Sequence, residues 1–292
     1  MDNFYIISNK VKDHENITAN RVKAFLEAHG KHCTIMQDEL TFSNAAVSKP
    51  VDPPENTDCI ISIGGDGTLL KVARDTNERQ IPIIGVDLGA IGYLTEIDHL
   101  NPEPALEKLI SGECKIRKRM MLYGKVRHGD KVIASDSALN DIVINRGGNP
   151  KMIDMNIFVN EHLLYSIRGD GIIISTPTGS TGYSLSAGGP VVSPEASMFI
   201  LTPLSPHSLS SRSIILPNDV IIRMTLGPDK NGSSTSATVT FDGDTCVQIS
   251  TGDSVEIKKS NKDTLMAVAQ SSNFIEVLYH KMNPLKQTEE RK

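Results

Sequence analysis

Residues 60–75, IISIGGDGTLLKVARD, change from a strand-like to a helix-like pattern at their centre. Apolar, mostly β-branched residues up to Ile63 are typical of a buried strand, and residues 68–76 are typical of a helix. The glycine turn between them, residues 64–67, carries a single carboxylate, Asp66. We expect this turn at the carboxyl end of a parallel strand, where open α/β sheets bind ligands. A plain tight turn, with Asp66 capping the helix, would fit the same residues.

The segments around this stretch alternate in the same way. Their spacing predicts strands over residues 4–8, 33–36, 57–63 and 81–86, helices over residues 22–29, 68–76 and 104–111, and a loop over residues 41–57. Strands that alternate with helices at this pitch imply a parallel sheet with crossover helices. We therefore predict a Rossmann-like parallel α/β domain over residues 1–114.

Short β-rich segments and turns replace this pattern from about residue 115 onward. Residues 120–135 and 155–167 predict hairpins, the second around Asn160 and Glu161. We expect an antiparallel domain, β-sandwich-like or barrel-like, over residues 115–268. The spacing of Phe274, Val277, Leu278, Lys281 and Met282 predicts a helix within residues 269–292, whose apolar face packs back on the first domain.

The composition argues against several classes of protein. A net charge of −5 with 22% charged residues is typical of a globular chain, whereas a nucleic-acid binder usually has an excess of basic residues. No apolar run approaches the ~18 residues of a membrane span, and the N-terminus does not resemble a signal peptide. The four cysteines are scattered without a Cys-x-x-Cys pair, so we expect no zinc site, no disulfide framework and a cytoplasmic location.

The glycine turn has the chemistry of a phosphate site. Glycines let the backbone approach phosphates closely, so Gly64, Gly65, Gly67 and Thr68 are candidate phosphate-binding residues. Asp66 would repel phosphate, and a carboxylate at this place suits a general base for a hydroxyl group or a partner of Mg²⁺. The turn lacks the Gly-Lys-Ser/Thr ending of a Walker A loop.

A long uncharged loop is the second candidate. Residues 168–190, RGDGIIISTPTGSTGYSLSAGGP, run from a strand into Thr, Ser and Gly residues, and residues 171–192 contain no charge. Its hydroxyls and backbone N–H groups suit a polar ligand with many oxygens. A surface loop with a local pair between Arg168 and Asp170 would also fit.

The pair Asn140 and Asp141 is the third candidate. It stands at the start of an apolar strand within residues 137–148, SALNDIVINRGG. An Asn side chain can read an adenine or ribose edge because it offers both a donor and an acceptor. Ordinary polar residues at a strand entry would explain the pair equally.

Together these stretches resemble the NAD kinase family. The glycine turn is similar to the family's Gly-Gly-Asp-Gly motif, Asn140-Asp141 to its Asn-Glu/Asp motif, residues 170–190 to its long signature, and residues 203–217 to a further family segment. The resemblance covers roughly residues 57–260. The long signature is highly specific, whereas diacylglycerol kinases, sphingosine kinases and phosphofructokinases carry similar glycine turns.

The resemblance implies an enzyme that transfers the γ-phosphoryl group of ATP, or of polyphosphate, to the 2′-hydroxyl of the adenosine ribose of NAD, giving NADP. Asp66 would accept the proton of that hydroxyl, and Mg²⁺ would accompany ATP with no protein ligand assigned to it. A homodimer or homotetramer is also implied, in which a neighbouring copy completes the site. The residues implied to bind NAD are Asp66, Gly67, Lys71, Asn140, Asp141, Lys151, Arg168, Asp170, Thr181, Gly182, Tyr183, Ser184, Leu185 and Ser186.

Two positions depart from the family pattern. Gly182 stands where the family usually has Ala, and glycine loosens the loop. Asp244, in the segment FDGDT at residues 241–245, stands where the family often has Gln. Because an acid cannot donate a hydrogen bond as Gln does, that ligand contact does not carry over to Asp244 unchanged.

Two other functions share some of these features. A lipid kinase of the diacylglycerol type would share the glycine turn and the β-rich domain, but it has no evident use for the uncharged loop. A non-catalytic dinucleotide sensor would keep the pocket, but it would have no need of Asp66. We therefore predict a NAD kinase, with these two functions as the alternatives.

Overall fold

The structure is a computed structural model, and it describes residues 1–36, 50–89, 92–208, 211–269 and 274–283. The predicted loop at residues 41–57 lies partly outside these ranges. The described residues form α-helices and strands whose bounds follow in chain order. The helices are α1 (Ile17–Ala28), α2 (Asp66–Thr76), α3 (Glu103–Ser111), α4 (Tyr183–Ser186) and α5 (Phe274–Met282). The strands are β1 (Asn3–Ser8), β2 (His32–Ile35), β3 (Cys59–Gly64), β4 (Ile83–Asp87), β5 (Ile97–Asp98), β6 (Lys115–Arg119), β7 (Leu122–His128), β8 (Lys131–Ala138), β9 (Asp141–Asn145), β10 (Ile153–Val159), β11 (His162–Gly169), β12 (Gly171–Ser175), β13 (Met198–Leu204), β14 (Ile214–Pro217), β15 (Ile222–Leu226), β16 (Ser236–Phe241), β17 (Thr245–Ser250), β18 (Ser254–Lys259) and β19 (Thr264–Val268).

The first sheet is mostly parallel and has seven strands. Its order is β2-β1-β3-β4-β19-β6, with β5 paired to β4, and only the β19–β6 pair is antiparallel. Helices α1 and α3 pack on one face, where Leu26 and Leu106 share an apolar cluster, and α2 packs on the other through Leu69 and Val72. Strands β3 and β4 are buried throughout because both faces of the sheet are covered. The predicted Rossmann-like α/β fold is confirmed.

The second part is a sandwich of two six-stranded antiparallel sheets. Their orders are β11-β10-β15-β18-β7-β8 and β14-β13-β12-β9-β16-β17. Residues such as Ile144, Ile172 and Phe241 from one sheet and Ile157 and Val255 from the other form a single apolar cluster between them. Strand β15 alternates buried and half-buried residues, which is the pattern of a strand with one face on a core. The predicted β-sandwich-like fold is confirmed.

The predicted hairpins form where turn residues allow them. Strands β7 and β8 pair antiparallel, as do β10 and β11. Asn160 and Glu161 connect β10 to β11 with φ angles of 47° and 65°, the left-handed conformation that tight hairpin turns require.

The predicted division into residues 1–114, 115–268 and 269–292 stays a prediction. Strands β6 and β19 lie inside the predicted second domain, but they pair with each other in the first sheet, and Met266 of β19 lies beside Ile83 of β4. A short apolar strand has the same composition in either type of sheet, so its partner depends on contacts between distant residues.

Helix α5 lies beside the first part of the chain, as predicted. The Nζ atom of Lys281 is 5.7 Å from the centroid of the Tyr93 ring. Of the predicted apolar face, Phe274, Val277 and Leu278 are half-buried and Met282 is exposed. The face is therefore only partly covered by the described residues.

Candidate active site

The glycine turn lies between the end of β3 and the start of α2. Gly65 is extended, with φ −130° and ψ −173°, and the helix begins at Asp66, two residues earlier than predicted. Asn9, which follows β1, donates its backbone N–H to Ile63 O at 2.9 Å and its Nδ2 to Thr68 Oγ1 at 3.2 Å. The loops after β1 and β3 therefore meet at the carboxyl ends of neighbouring parallel strands. Since β2 and β4 lie on opposite sides of this pair, it is a topological switch point, where α/β sheets bind ligands.

The Asp66 carboxylate is held by the segment of residues 92–95. Its Oδ2 accepts the backbone N–H of Tyr93 at 3.0 Å. Its Oδ1 accepts the backbone N–H groups of Leu94 at 3.1 Å and Thr95 at 3.3 Å, and the Thr95 hydroxyl at 3.3 Å. These bonds fix the orientation of the carboxylate. A helix cap, the plain alternative for Asp66, would instead use N–H groups of its own helix, and Gly65 is the capping residue of α2.

Asp87 supports the 92–95 segment from the end of β4. Its Oδ1 accepts the N–H of Gly89 at 2.7 Å and its Oδ2 accepts the N–H of Gly92 at 3.0 Å. The Thr95 hydroxyl contacts this Oδ2 as well as Asp66. A Cβ on Gly92 would stand 2.0 Å from Asp66 Oδ1, so only glycine fits there. Sequence analysis missed this segment, although Gly89 and Gly92, two and five residues after the end of the buried strand β4, were a signal for it.

The candidate phosphate-binding residues differ in what surrounds them. A Cβ on Gly64 would lie 2.3 Å from Thr68 Oγ1, so this glycine is needed for packing against the buried Thr68. A Cβ on Gly67 would meet none of the described residues within 4 Å, so the backbone there is open to a ligand. Gly65 faces a cation, because a Cβ on it would stand 3.0 Å from the Nζ atom of Lys12.

Lys12 was not among the predicted site residues. Its side chain is exposed, and its ammonium forms no hydrogen bond or ion pair with another described residue. A lysine in the loop after β1 gives no local signal, because only the parallel pairing of β1 with β3 brings it to the glycine turn.

Lys71 points away from the open side of the turn. Its Nζ lies 2.8 Å from Asp75 Oδ2, and the Lys71 side chain is 3% exposed. Asp75 also accepts the backbone N–H of Val51 at 3.1 Å. The structure thus places this predicted NAD-binding residue in a buried pair one helical turn along α2.

Asn140 and Asp141 enter β9 through a turn clamped by Asp242. The Asp242 carboxylate accepts the backbone N–H groups of Leu139 at 2.9 Å, Asn140 at 2.8 Å and Asp141 at 3.1 Å. The backbone N–H of Asp242 donates to Asp141 O at 3.0 Å. Asp242 was missed in sequence analysis, because nothing local to it indicates that residues 139–141 lie opposite.

The uncharged loop packs directly on Asn140. Thr176 donates its backbone N–H to Asn140 O at 2.9 Å, and a Cβ on Gly179 would stand 2.2 Å from that oxygen. Three buried side-chain oxygens here have no hydrogen-bond partner among the described residues: Asn140 Oδ1, Ser175 Oγ and Thr178 Oγ1. Because buried polar groups are normally paired, this cluster indicates a place where a polar ligand binds.

The remaining loop residues form a short 3₁₀ turn, Thr178–Thr181, followed by α4. Thr181 Oγ1 donates to Thr178 O at 3.2 Å, and Ser184 Oγ lies 3.0 Å from Thr202 Oγ1. The side chains of Tyr183, Leu185 and Ser186 are exposed, and Gly182 is half-buried beside the Asn140 amide.

Burial raises the pKa of both acids at this turn. The pKa of Asp141 rises to about 7, first because it is buried and then because of the negative charge of Asp242. Burial raises the pKa of Asp242 to about 6, although the three backbone hydrogen bonds that it accepts lower it.

Arg168 and Asp170 lie at the other end of β12. Asp141 pairs in register with Ser175, whereas Gly171, next to Asp170, pairs with Asn145. At ~3.3 Å per residue, Asp170 lies about 20 Å from Thr176, whose backbone N–H donates to Asn140 O. The two residues do not pair with each other: Arg146 Nε is 2.7 Å from Asp170 Oδ1, and Arg168 Nε is 4.0 Å from Asp154.

Lys151 is also outside this cluster. Its Nζ lies 3.6 Å from Asp229 Oδ2, and its side chain is 68% exposed. Asp244, the position that departs from the family, contacts the guanidinium of Arg74 on α2. The side chain of Asp244 therefore faces a protein cation.

The three segments that carry Asp66, residues 92–95 and Asn140 pack together through one apolar cluster. It contains Leu69 of α2, Leu94 of the 92–95 segment and Leu139, next to Asn140. In the part of the chain that the structure describes, no group of three or more His, Cys, Asp or Glu residues is placed to hold a metal ion. Within the same residues, no helix has the length and apolarity needed to cross a membrane.

Comparisons with known proteins agree on one family. The model of the ATP-NAD kinase N-terminal domain matches residues 4–114, and that of the C-terminal domain matches residues 139–268. A NAD kinase from Lachnospira eligens is 39% identical over 293 residues, covering 97% of this chain and 100% of its own. A NAD kinase from Lachnoclostridium phytofermentans is 39% identical, covering 95% of this chain and 98% of its own.

Two solved structures share the fold. Yeast NADH kinase complexed with NADH superposes with a TM-score of 0.80 at 26% identity, over 94% of this chain and 85% of its own. A NAD kinase from Archaeoglobus fulgidus in complex with ATP superposes with a TM-score of 0.75 at 27% identity, over 96% of this chain and 98% of its own.

Proposed function

We propose a mechanism for this chain, which belongs to the NAD kinase family and phosphorylates NAD to NADP. The γ-phosphoryl group of ATP is transferred to the 2′-hydroxyl of the adenosine ribose of NAD: a new O–P bond forms, the bond to the β–γ bridging oxygen breaks, and ADP leaves. In such a reaction the protein contributes positioning and charge stabilisation, because phosphoryl transfer requires little covalent chemistry from the protein itself.

Asp66 accepts the proton of the 2′-hydroxyl. The observation that carries this role is its placement at the switch point with an available oxygen. Its Oδ1 accepts three hydrogen bonds, whereas Oδ2 accepts one, from Tyr93, among the described residues. A carboxylate oxygen has two lone pairs, so Oδ2 keeps one for the incoming hydroxyl. The bonds from residues 93–95 hold that lone pair in a constant direction.

The glycine turn and Lys12 bind the phosphates of ATP. The open backbone at Gly67 lets phosphate oxygens approach, and the Lys12 ammonium beside Gly65 adds a positive charge. In a chain of net charge −5, such local groups must attract the anion.

Mg²⁺ enters as part of the ATP substrate. Both oxygens of Asp87 already accept protein hydrogen bonds, and no cluster of three ligating side chains occurs among the described residues. This suits a cation held mainly by substrate phosphates and water, as is usual for Mg²⁺. When bound, the ion neutralises phosphate charge during transfer.

NAD binds along the Asn140 segment and the uncharged loop. The unpartnered oxygens of Asn140, Ser175 and Thr178 support this placement, since a dinucleotide offers hydroxyl and amino donors to them. Thr181, Gly182, Tyr183, Ser184, Leu185 and Ser186 line the loop beyond them. Lys71 and Lys151 are paired with Asp75 and Asp229, so their contacts with NAD require those pairs to open.

We also propose a homo-oligomer in the cytoplasm. Arg168 and Asp170 stand about 20 Å along β12 from the Asn140 end, so in one copy they do not share a ligand with Asn140. A second copy that placed its Asp170 against this site would complete it. The free cysteines at positions 33, 59, 114 and 246 suit a reducing compartment.

A screen of phosphate donors and acceptors tests the function. The purified full chain is incubated with ATP or polyphosphate and with NAD, NADH or diacylglycerol, and NADP(H) and phospholipid are quantified. Formation of NADP from NAD and ATP is expected. Phosphorylation of the lipid without NADP would favour a lipid kinase, and NAD binding by calorimetry without NADP from any donor would favour a sensor.

A further inference from the structure

Arg74 connects the helix of Asp66 to the second part of the chain. It lies in the last turn of α2, and its side chain is 5% exposed. Its guanidinium contacts Asp244, donates to Phe241 O at 3.3 Å, and lies 3.7 Å from Asp136 Oδ2. All three partners belong to the sandwich, in β8 and around the turn between β16 and β17.

The β16–β17 turn, which contacts Arg74, also binds the backbone of the Asn140 segment. Residues 242–244 connect β16 to β17, and Asp242 and Gly243 adopt left-handed φ angles of 49° and 71° in this turn. Asp242 accepts the backbone N–H groups of residues 139–141, while Asp244 contacts Arg74. Thr245 donates its hydroxyl to Asp136 at 2.7 Å, which ties the start of β17 to the second carboxylate near Arg74.

A chain of direct contacts therefore joins Asp66 to Asn140. It runs along α2 to Arg74, through Asp244 and the β16–β17 turn to Asp242, and from Asp242 to the backbone of Asn140. We infer that Arg74 is a positioning residue that sets where the Asn140 segment lies relative to Asp66. This inference rests on the proposed roles of Asp66 in proton transfer and of Asn140 in binding NAD.

The chemistry of Arg74 suits positioning better than stability. A buried ion pair is weak support for stability, because removing two charges from water costs about as much as their attraction returns. A guanidinium fork, however, contacts a carboxylate and a carbonyl in fixed relative directions, which a flexible ammonium or an apolar side chain cannot do. Leu69, Leu94 and Leu139 already pack the same segments together in one apolar cluster, but apolar contacts do not fix the relative orientation of those segments.

Arg74→Gln in the full chain tests the inference. It keeps a donor but loses the charge and the fork. We expect KM for NAD to rise about tenfold and kcat to fall about tenfold or more, because small displacements of a reacting group cost ~10²-fold in rate. KM for ATP should stay within about threefold, since the glycine turn lies at the other end of α2. Arg74→Lys should bring KM for NAD part of the way back to the wild-type value, because it restores a positive charge opposite Asp244 but not the guanidinium fork.

The matched control is Arg79→Gln. Arg79 binds Asp52, Pro53 and Pro54 within the first part of the chain, and none of these contacts reaches the sandwich. Its kcat and both KM values should stay within about twofold of wild type. All rates are measured at a temperature where circular dichroism shows each variant folded, so a loss of stability alone does not change KM.

Asp244→Asn provides a second test if Arg74→Gln does not fold. It should change kcat and KM for NAD in the same direction but by less, because Asp136 and Phe241 O remain with Arg74. Folded variants at Arg74 or Asp244 with wild-type kcat and KM for NAD would overturn the inference. The proposed site would instead be wrong if Asp66→Asn and Asn140→Ala also left NADP formation unchanged.

Discussion

The Oδ2 atom of Asp66 accepts the backbone N–H of Tyr93 at 3.0 Å, although 27 residues separate the two in sequence. The carboxylate at the glycine turn is thus oriented by a segment that follows the next strand of the sheet. A carboxylate held by backbone groups is preorganised, since no side-chain rearrangement is needed when substrate binds.

Asp66→Asn should lower kcat by ~10²–10⁴-fold while changing NAD affinity only a few-fold, because an amide cannot accept the hydroxyl proton. Steady-state kinetics and calorimetry with NAD measure the two effects. Asp58→Asn is the control: Asp58 also accepts backbone N–H groups, from Asp2 at 2.7 Å and Asn3 at 3.0 Å, but before β3 and away from the turn. A kcat near wild type in Asp66→Asn would refute the role as base.

Gly92→Ala should lower kcat without removing Asp66. Its Cβ would stand 2.0 Å from Asp66 Oδ1, so the carboxylate must move or the 92–95 segment must shift. We expect a loss of ~10²-fold in kcat, the order expected for a displaced catalytic group. Gly148→Ala serves as the control, since a Cβ there meets none of the described residues within 4 Å. Equal activity of the two variants would show that the orientation of Asp66 is not important.

Lys12→Ala should raise KM for ATP about tenfold, equivalent to ~1.4 kcal/mol of lost charge-assisted binding. KM for NAD should change little, and the sensitivity of KM for ATP to salt should decrease. Lys23→Ala, which removes an ammonium paired with Glu27 at 3.2 Å on α1, should leave both values unchanged. An unaltered KM for ATP in Lys12→Ala would show that Lys12 does not bind the phosphates of ATP.

Asp141→Asn should change how stability depends on pH. The folded-state pKa of Asp141, about 7, lies above its ordinary value of 3.8, so the folded state binds the proton more tightly than the unfolded state. The resulting stabilisation is present at low pH and is lost as pH rises from about 4 to about 7. The free energy of unfolding of wild type should therefore fall relative to that of Asp141→Asn, by at most ~1.4 kcal/mol per pH unit. Urea unfolding without ligand between pH 5 and 8 measures the free energy of unfolding of both proteins. The same pH dependence in wild type and in Asp141→Asn would contradict the prediction.

Mixing two inactive variants should restore activity if a neighbouring copy supplies Asp170. In a homodimer of Asp66→Asn with Asp170→Asn, one site would combine an intact Asp66 with an intact Asp170. Random pairing makes about half of the dimers mixed, so about a quarter of wild-type activity is expected. If Asp170 acts within its own chain, every site keeps one defect and the co-expressed pair stays inactive. Light scattering gives the oligomeric state of each sample.

Local sequence was sufficient for many of the helices and strands and for the glycine turn. Apolar β-branched runs, helical spacing and glycine stops depend on residues within about one turn or one strand of each other, so they predicted β3, α2 and the hairpin at Asn160. The uncharged loop was also evident, because an absence of charge over residues 171–192 is a property of the chain itself. The family followed from these local motifs, and the comparisons confirmed it.

Tertiary structure alone decided which distant residues meet. It placed β6 and β19 in the first sheet, directed residues 93–95 onto Asp66, and paired Lys71 with Asp75. It also joined Arg74 to Asp244 across 170 residues and closed Asp242 over the backbone of Asn140. Hydrogen bonds and ion pairs act over a few ångströms in space, whatever the separation in sequence. Residue type and spacing therefore named the groups of the site, and only packing determined their partners.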